Sequence, residues 1–353
     1  MYLAVKYHFI SALTLIAFSI VVHPANADEH AIEVIETFDA GLGQLPESIT
    51  SDRDGNVYLS MSDSIWKRTP DGELSVIGTL PVAAFALGVK VGPDGCVYTV
   101  STSLSEEVEG AFVWQICQEG VVTQFAELDH TGGLNDLVFD RRGNMYVTDP
   151  FLGRIWKVDP EGNATVWLDD ELLDGDPDNP VLVFHSLGAD GIVFDKRERN
   201  LYVSNLDYGE IVRIEMNRNG TPGEVSVFAS DPLLEGADGL VFDKKGNLFT
   251  AVNSQNSIVS ISRRGNIEVI ESGEVLDGPS SLFFGTRGDA SSLYIANSAF
   301  SRAFGFIDGT PYPALLKIEL GRNGCTPPRR LFPHRNREAG GMWCKKASGG
   351  RPW

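Results

Sequence analysis

The chain has 353 residues, 42% of them hydrophobic and 22% charged, with 48 acidic residues against 29 basic ones and a formal net charge of -19. Such a chain can bury a large core, and its acidity argues against nucleic acid or an anionic membrane as a partner. No Gly-x-Ser-x-Gly elbow, phosphate-binding loop or Cys/His zinc spacing occurs, which sets aside serine hydrolase and nucleotide chemistry.

Residues 1–27 carry a single Lys6, an apolar run from Phe9 to Val22 and the small-x-small end Ala25-Asn26-Ala27. This reads as a secretory signal peptide whose apolar part is too short to favour a membrane span. The mature protein is expected to begin at Asp28, to be soluble and off the membrane, and to be secreted or periplasmic. Four cysteines in an exported chain suggest two local bridges. These are Cys96–Cys117, across a hairpin turning at Glu106 and Glu107, and Cys325–Cys344 in the tail.

From residue 28 onward a strand–turn–strand unit recurs. Its turn tips fall at Gly55, Gly95, Gly143, Glu198, Gly246 and Gly288. The Gly-Asn form of several tips supplies the positive φ of two-residue hairpins. A third strand follows in most copies, such as Ser64 to Arg68 or Arg154 to Val158, and a fourth completes the sheet, as in Leu74 to Ile77. Six units of four strands predict an all-β protein, a six-bladed β-propeller over 28–320. The early strand Ala31 to Ile35 has no inner strands of its own and is expected to complete the last blade. Residues 28–320 carry 20 Lys and Arg against 47 Asp and Glu, whereas the Gly/Pro-rich tail 321–353 holds eight basic residues and the single acid Glu338. The tail reads as a solvated extension.

The positions eight residues before the six tips read Glu47, Leu87, Asn135, Asp190, Asp238 and Ser280. Equivalent positions of successive blades meet near one axis, so Glu47, Asn135, Asp190 and Asp238 are expected to converge. Three carboxylates so placed repel unless a cation neutralises them. An all-oxygen set suits a hard ion, calcium first, with zinc, manganese or magnesium as alternatives. The expected fold is therefore a propeller with a central metal site. Asp149, Asn205 and Asn297 share the end of the second strand in their blades and are candidate substrate-binding residues. His185 and His130 lie just upstream of Asp190 and Asn135 and are candidate acid–base groups, with a loop role as the plainer reading.

These residues carry a resemblance. The chain resembles the senescence marker protein, gluconolactonase and luciferin-regenerating enzyme group of six-bladed propellers, related to diisopropyl fluorophosphatase and paraoxonase, across every blade. The resemblance implies divalent-metal ligands at Glu47, at Asn135 of the Asn-Asp motif and at Asp238 of an Asp-Gly motif. Asp190-Gly191 stands where the group has Asn-Gly, which adds a negative charge. Similar gluconolactonases place an Arg two residues before the Asn-Asp motif, where this chain has Gly133; the expected substrate is then a less sugar-like lactone or ester. The implied function is an exported, metal-dependent lactonase-like hydrolase with Asp238 as general base. Phosphotriester hydrolysis at the same ion, or a non-catalytic calcium-stabilised propeller, are the alternatives.

Overall fold

The computed structural model describes residues 31–103, 110–178, 186–273 and 275–320. Six four-stranded antiparallel sheets form the blades of a propeller, each ordered from an inner first strand to an outer fourth one. The inner strands are Pro46–Ser51, Phe85–Val91, Leu137–Phe139, Ala189–Phe194, Ala237–Phe242 and Pro279–Phe284. The strand Ile32–Thr37 pairs with Ala314–Glu319, so the N-terminal strand is the outer strand of blade 6, as expected from its isolation in the sequence. No helix among the described residues is long and apolar enough to cross a membrane.

The core is divided among the blades, and in blades 2 to 5 one aromatic of the second strand reaches the next blade. Tyr98 lies 5.1 Å from Phe139 of the next blade, Tyr146 lies 5.3 Å from Phe194, Tyr202 lies 5.1 Å from Phe242, and Phe249 lies 5.4 Å from Phe284. All four pairs meet edge to face, a preferred aromatic geometry that adds about 1 kcal/mol each beyond the area buried.

The turn tips depart from the expected two-residue form. In blade 1 the register Ser51↔Val57 leaves 52–56 as the turn. Asp52 organises it by accepting from the backbone N–H groups of Asp54 and Asn56 and from the Asn56 amide. The same Asp-to-Asn clamp recurs at Asp140 and Asn144, and at Asp243 and Asn247. Positive φ does occur at Gly55, Gly95, Gly143, Glu198 and Gly246. Gly288 differs: it sits in the 3-10 turn Arg287–Asp289, and no left-handed residue is needed there.

Cys96 and Cys117 are placed as a bonded pair, with Cα atoms 4.4 Å apart on the adjacent strands of blade 2. The expected signal segment 1–27, the expected turn at Glu106 and Glu107, and Cys325 with Cys344 lie outside the described residues.

Candidate metal centre and active site

In blades 1, 4 and 5 the inner strand is irregular where its functional residue sits. The register slips between Pro46 and Ile49, between Ala189 and Ile192, and between Ala237 and Leu240, so a bulge brackets Glu47, Asp190 and Asp238. Bulges re-aim side chains, here out of the blade and toward the axis. The backbone of each residue is then fixed by the preceding blade. The Glu47 carbonyl accepts from Ser280 Oγ at 2.6 Å, the Asn135 carbonyl from Gly88 N at 2.7 Å, and the Asp190 carbonyl from Thr148 Oγ1 at 2.5 Å. The Asp238 carbonyl accepts from Ser204 Oγ at 2.8 Å.

The glycine after the functional residue lets neighbouring inner strands approach. A Cβ on Gly239 would lie 2.7 Å from Ser280 O and 2.7 Å from Ser281 Cα, and one on Gly88 would lie 2.6 Å from Asn135 O. The Asp-Gly motif therefore joins a side chain aimed at the axis to the packing that aims it.

Glu47, Asn135, Asp190 and Asp238 share the floor of one cavity of about 450 Å³. Ser280 does not line it, because its hydroxyl is turned to the Glu47 carbonyl. Asp190 is wholly buried, and both its carboxylate oxygens lack a hydrogen-bond partner, as does Glu47 Oε2. Orphaned buried carboxylate oxygens are costly, and a proton or a bound cation would relieve that cost. Burial, then the charges of Asp190 and Asp136, hold Glu47 well above the usual carboxylate range. Burial and the charges of Asp136 and Asp207 do the same for Asp190. Asp238 is raised by burial, then by Asp190, Glu47 and Asp136, against a hydrogen bond from the Asn253 side chain that favours its charged form.

The donor atoms do not close tightly. Among the described residues the only set of three or more His, Cys, Asp or Glu ligand atoms all within 4.8 Å of one another is Asp94, Cys96 and Cys117, at the blade-2 turn. Glu47, Asp190 and Asp238 thus stand wider than that. Oxygens on opposite sides of a calcium ion are themselves about 5 Å apart, so the chemistry of the donor set still fits a hard cation.

Lys90 and Asp136 were not among the residues singled out from the sequence. Lys90 Nζ meets Asp136 Oδ1 at 2.7 Å, and Asp136 Oδ2 accepts from Ile192 N at 3.4 Å. The phase of the repeat contained the signal: Lys90 follows the blade-2 position Leu87 by three residues, and Asp136 directly follows Asn135. Among the described residues, Lys90 is the side-chain cation paired with Asp136, and its charge also acts on Glu47.

The expected substrate-binding positions serve the loops instead. Asp149 is fully buried and accepts from Gly133 N, Leu152 N and Trp156 Nε1. Asn205 donates to the carbonyls of Leu172 and Asp174 and accepts from Tyr208 N. Asn297 accepts from Asp277 N and donates to the carbonyls of Val275 and Tyr312. None of the three lines the cavity, because their polar atoms face loop backbone that would otherwise be buried unpaired. His130 is exposed beside Asp129 and also lies off the cavity wall. His185 lies outside the described residues.

Above the floor the walls are apolar. Phe85, Phe151, Leu187 and Leu206 face the cavity, and Phe300, Phe304, Phe306 and Ile307 form a lip around the short helix Phe300–Ala303. The lip is held by buried Asp277, which accepts from Arg302 Nη1 and, at 2.9 Å, from Tyr312 N. The charged residues lining the cavity, Glu47, Asp190, Asp238 and Asp277, are all acids.

Comparison with known proteins gives the same architecture. The family model described as the SMP-30/Gluconolactonase/LRE-like region matches residues 91–299. A lactonase drp35 from Staphylococcus haemolyticus is 25% identical over 226 residues, covering 62% of this chain and 66% of the relative. A gluconolactonase from Zymomonas mobilis is 25% identical over 285 residues, covering 70% of this chain and 74% of the relative. The chain thus spans about two thirds of the length of the first of these relatives. Among solved structures, the calcium-binding protein regucalcin from Agrobacterium tumefaciens aligns with a TM-score of 0.60 at 20% identity, covering 83% of this chain and 96% of that one. A luciferin-regenerating enzyme aligns with a TM-score of 0.60 at 14% identity, covering 83% and 96%.

Proposed function

The chain belongs to the SMP-30/gluconolactonase/LRE-like family, and from that premise we propose that it is an exported, divalent-metal-dependent hydrolase of lactones or related esters. The observation that carries this reading is the open cavity whose floor gathers Glu47, Asn135, Asp190 and Asp238, with three carboxylate oxygens that have no hydrogen-bond partner. A sealed ion would suit a scaffold, whereas a polar floor under an accessible cavity suits an enzyme.

In this reading Glu47, Asn135, Asp190 and Asp238 hold the ion, calcium in the first instance. The bound cation supplies polarisation of the substrate carbonyl and neutralises charge on its oxygen. Asp238 acts as general base: it takes a proton from the attacking water as the water oxygen bonds to the carbonyl carbon. The ester C–O bond then breaks, and the proton passes to the leaving alkoxide to give a hydroxy acid. Burial raises the basicity of Asp238, and the Asn253 side chain orients its carboxylate.

The walls indicate the substrate. The site of the Arg that similar gluconolactonases carry is Gly133, and a Cβ there would run into the ring of Phe151, which occupies that space. With apolar walls and only acids among its charged lining residues, the cavity suits a neutral lactone bearing an apolar substituent over a sugar acid. The test is a hydrolysis panel of alkyl-substituted γ-lactones, a polyhydroxylated lactone and a phosphotriester, each with calcium, manganese or zinc. Turnover of the alkyl lactones above the polyol supports the reading; turnover of the phosphotriester alone, or of none, rejects it.

A further inference from the structure

We propose that the face opposite the cavity carries a basic platform, built by the turns of blades 3, 4 and 5, that docks the protein on an anionic phospholipid surface. Because each blade is antiparallel, the turns joining strands 1 to 2 and strands 3 to 4 all lie on the face away from the cavity mouth. In blades 3 to 5 the first of these turns read Asp-Arg-Arg-Gly-Asn at 140–144, Asp-Lys-Arg-Glu-Arg-Asn at 195–200 and Asp-Lys-Lys-Gly-Asn at 243–247. The outer turns add Arg218 in blade 4 and Arg263 with Arg264 in blade 5, whereas the outer turn of blade 3, 159–163, carries Asp159 and Glu161 and no base, so the basic groups of these turns outnumber the acids ten to six. Every Lys and Arg in these turns is exposed.

The turns are joined. Arg141 bridges blades 3 and 4, with Nε 3.1 Å from Glu198 Oε1 and Nη2 donating to Lys196 O at 2.6 Å. Arg142 and Lys157 of blade 3 both approach the blade-4 turn at Gly220, and Arg263 lies over the 243–247 turn of its own blade at Gly246. Most carboxylates here are already engaged. Asp140, Asp195 and Asp243 each accept from backbone N–H groups of their own turn, and Glu198 is paired with Arg141. The basic groups are left facing solvent. Blades 1 and 2 lack the feature: turn 52–56 sets Arg53 between Asp52 and Asp54, and turn 92–96 has Asp94 and no base.

The net charge of -19 does not cancel this platform. A strand of five to seven residues spans about 20 Å. The platform therefore lies about one strand length from the acids of the cavity, on the face that would meet a surface first. The chain also leaves the blades on this side, since the strand Ala314–Glu319 runs from the mouth face to the turn face, and the 33 residues of 321–353 hold eight Lys and Arg. A broad array of point charges on a flat propeller face suits a lipid leaflet. Single-stranded nucleic acid is disfavoured because the turns at 140–144, 195–200, 217–221, 243–247 and 262–266 contain no aromatic residue on which a base could stack, and duplex DNA is an outcome of the test. The average charge argues against an anionic membrane, and the proposal sets this one face against that expectation.

The test is flotation of the full mature chain with phosphatidylcholine vesicles and with vesicles containing phosphatidylglycerol, across a salt series. We expect binding to the phosphatidylglycerol vesicles alone, weakening steeply with salt. Reversing the charge in Lys244→Glu, Lys245→Glu, Arg263→Glu and Arg264→Glu together should lower partitioning at least about ten-fold. A milder set with Gln at the same positions guards against misfolding, with thermal unfolding as control. No binding at low salt, or equal binding by the reversed chain, overturns the proposal; the second result would assign the attraction to 321–353. Tighter binding to duplex DNA than to the vesicles also overturns it.

Discussion

At the residue scale, Asp238 and Asp190 have similar burial and different proposed roles. Replacing Asp238 by Asn keeps size and one ligand oxygen but removes the base, so lactone turnover should fall about 100-fold or more at full metal occupancy. Wild-type turnover in that variant would remove Asp238 from the chemistry. Asp190→Asn removes a charge that burial, Asp136 and Asp207 disfavour, so it should stabilise the metal-free protein at neutral pH by about 1 kcal/mol or more. The pH dependence follows from the raised carboxyls of Glu47, Asp190 and Asp238. Between the unfolded carboxyl value of about 4 and those raised values, the folded chain holds protons that the unfolded chain has released. Metal-free stability should therefore fall as pH rises from about 5 to about 7, less steeply in Asp190→Asn, and the fall should vanish with saturating calcium. Thermal unfolding across that range checks it, and parallel slopes in the two proteins would contradict the assignment of Asp190.

At the scale of elements, the bulged inner strands and their glycines position the site. Gly239→Ala should cost about 2 kcal/mol or more, because its Cβ would meet backbone of the next blade at 2.7 Å. Gly288→Ala should be nearly neutral, since nothing lies within 4 Å and its φ is ordinary. Equal destabilisation, measured by denaturant unfolding, would refute the close-approach account. The eight-residue phase was legible because strand length and turn length are nearly constant from blade to blade, and it brought Glu47, Asn135, Asp190 and Asp238 into one cavity. The loops were less legible. Asp149, Asn205 and Asn297 have the residue types of a binding site, but which backbone groups they satisfy depends on loop paths that no local pattern encodes. Lys90 pairs with Asp136 across two blades, a contact visible only once adjacent inner strands are set side by side.

At the scale of the whole molecule, six similar sheets place polar side chains from blades far apart in sequence at the floor of one cavity, and Ile32–Thr37 closes the ring by pairing with Ala314–Glu319. The repeat made that architecture readable, whereas the distribution of charge between the two faces required the antiparallel topology. The account rests on a divalent ion held at the floor and needed for turnover. The most direct test is hydrolysis of an alkyl-substituted γ-lactone by the chelated protein during back-titration with calcium, with bound metal measured at each point. The prediction is loss of turnover on chelation and its return in proportion to one ion bound per chain; undiminished turnover with no metal bound would contradict it.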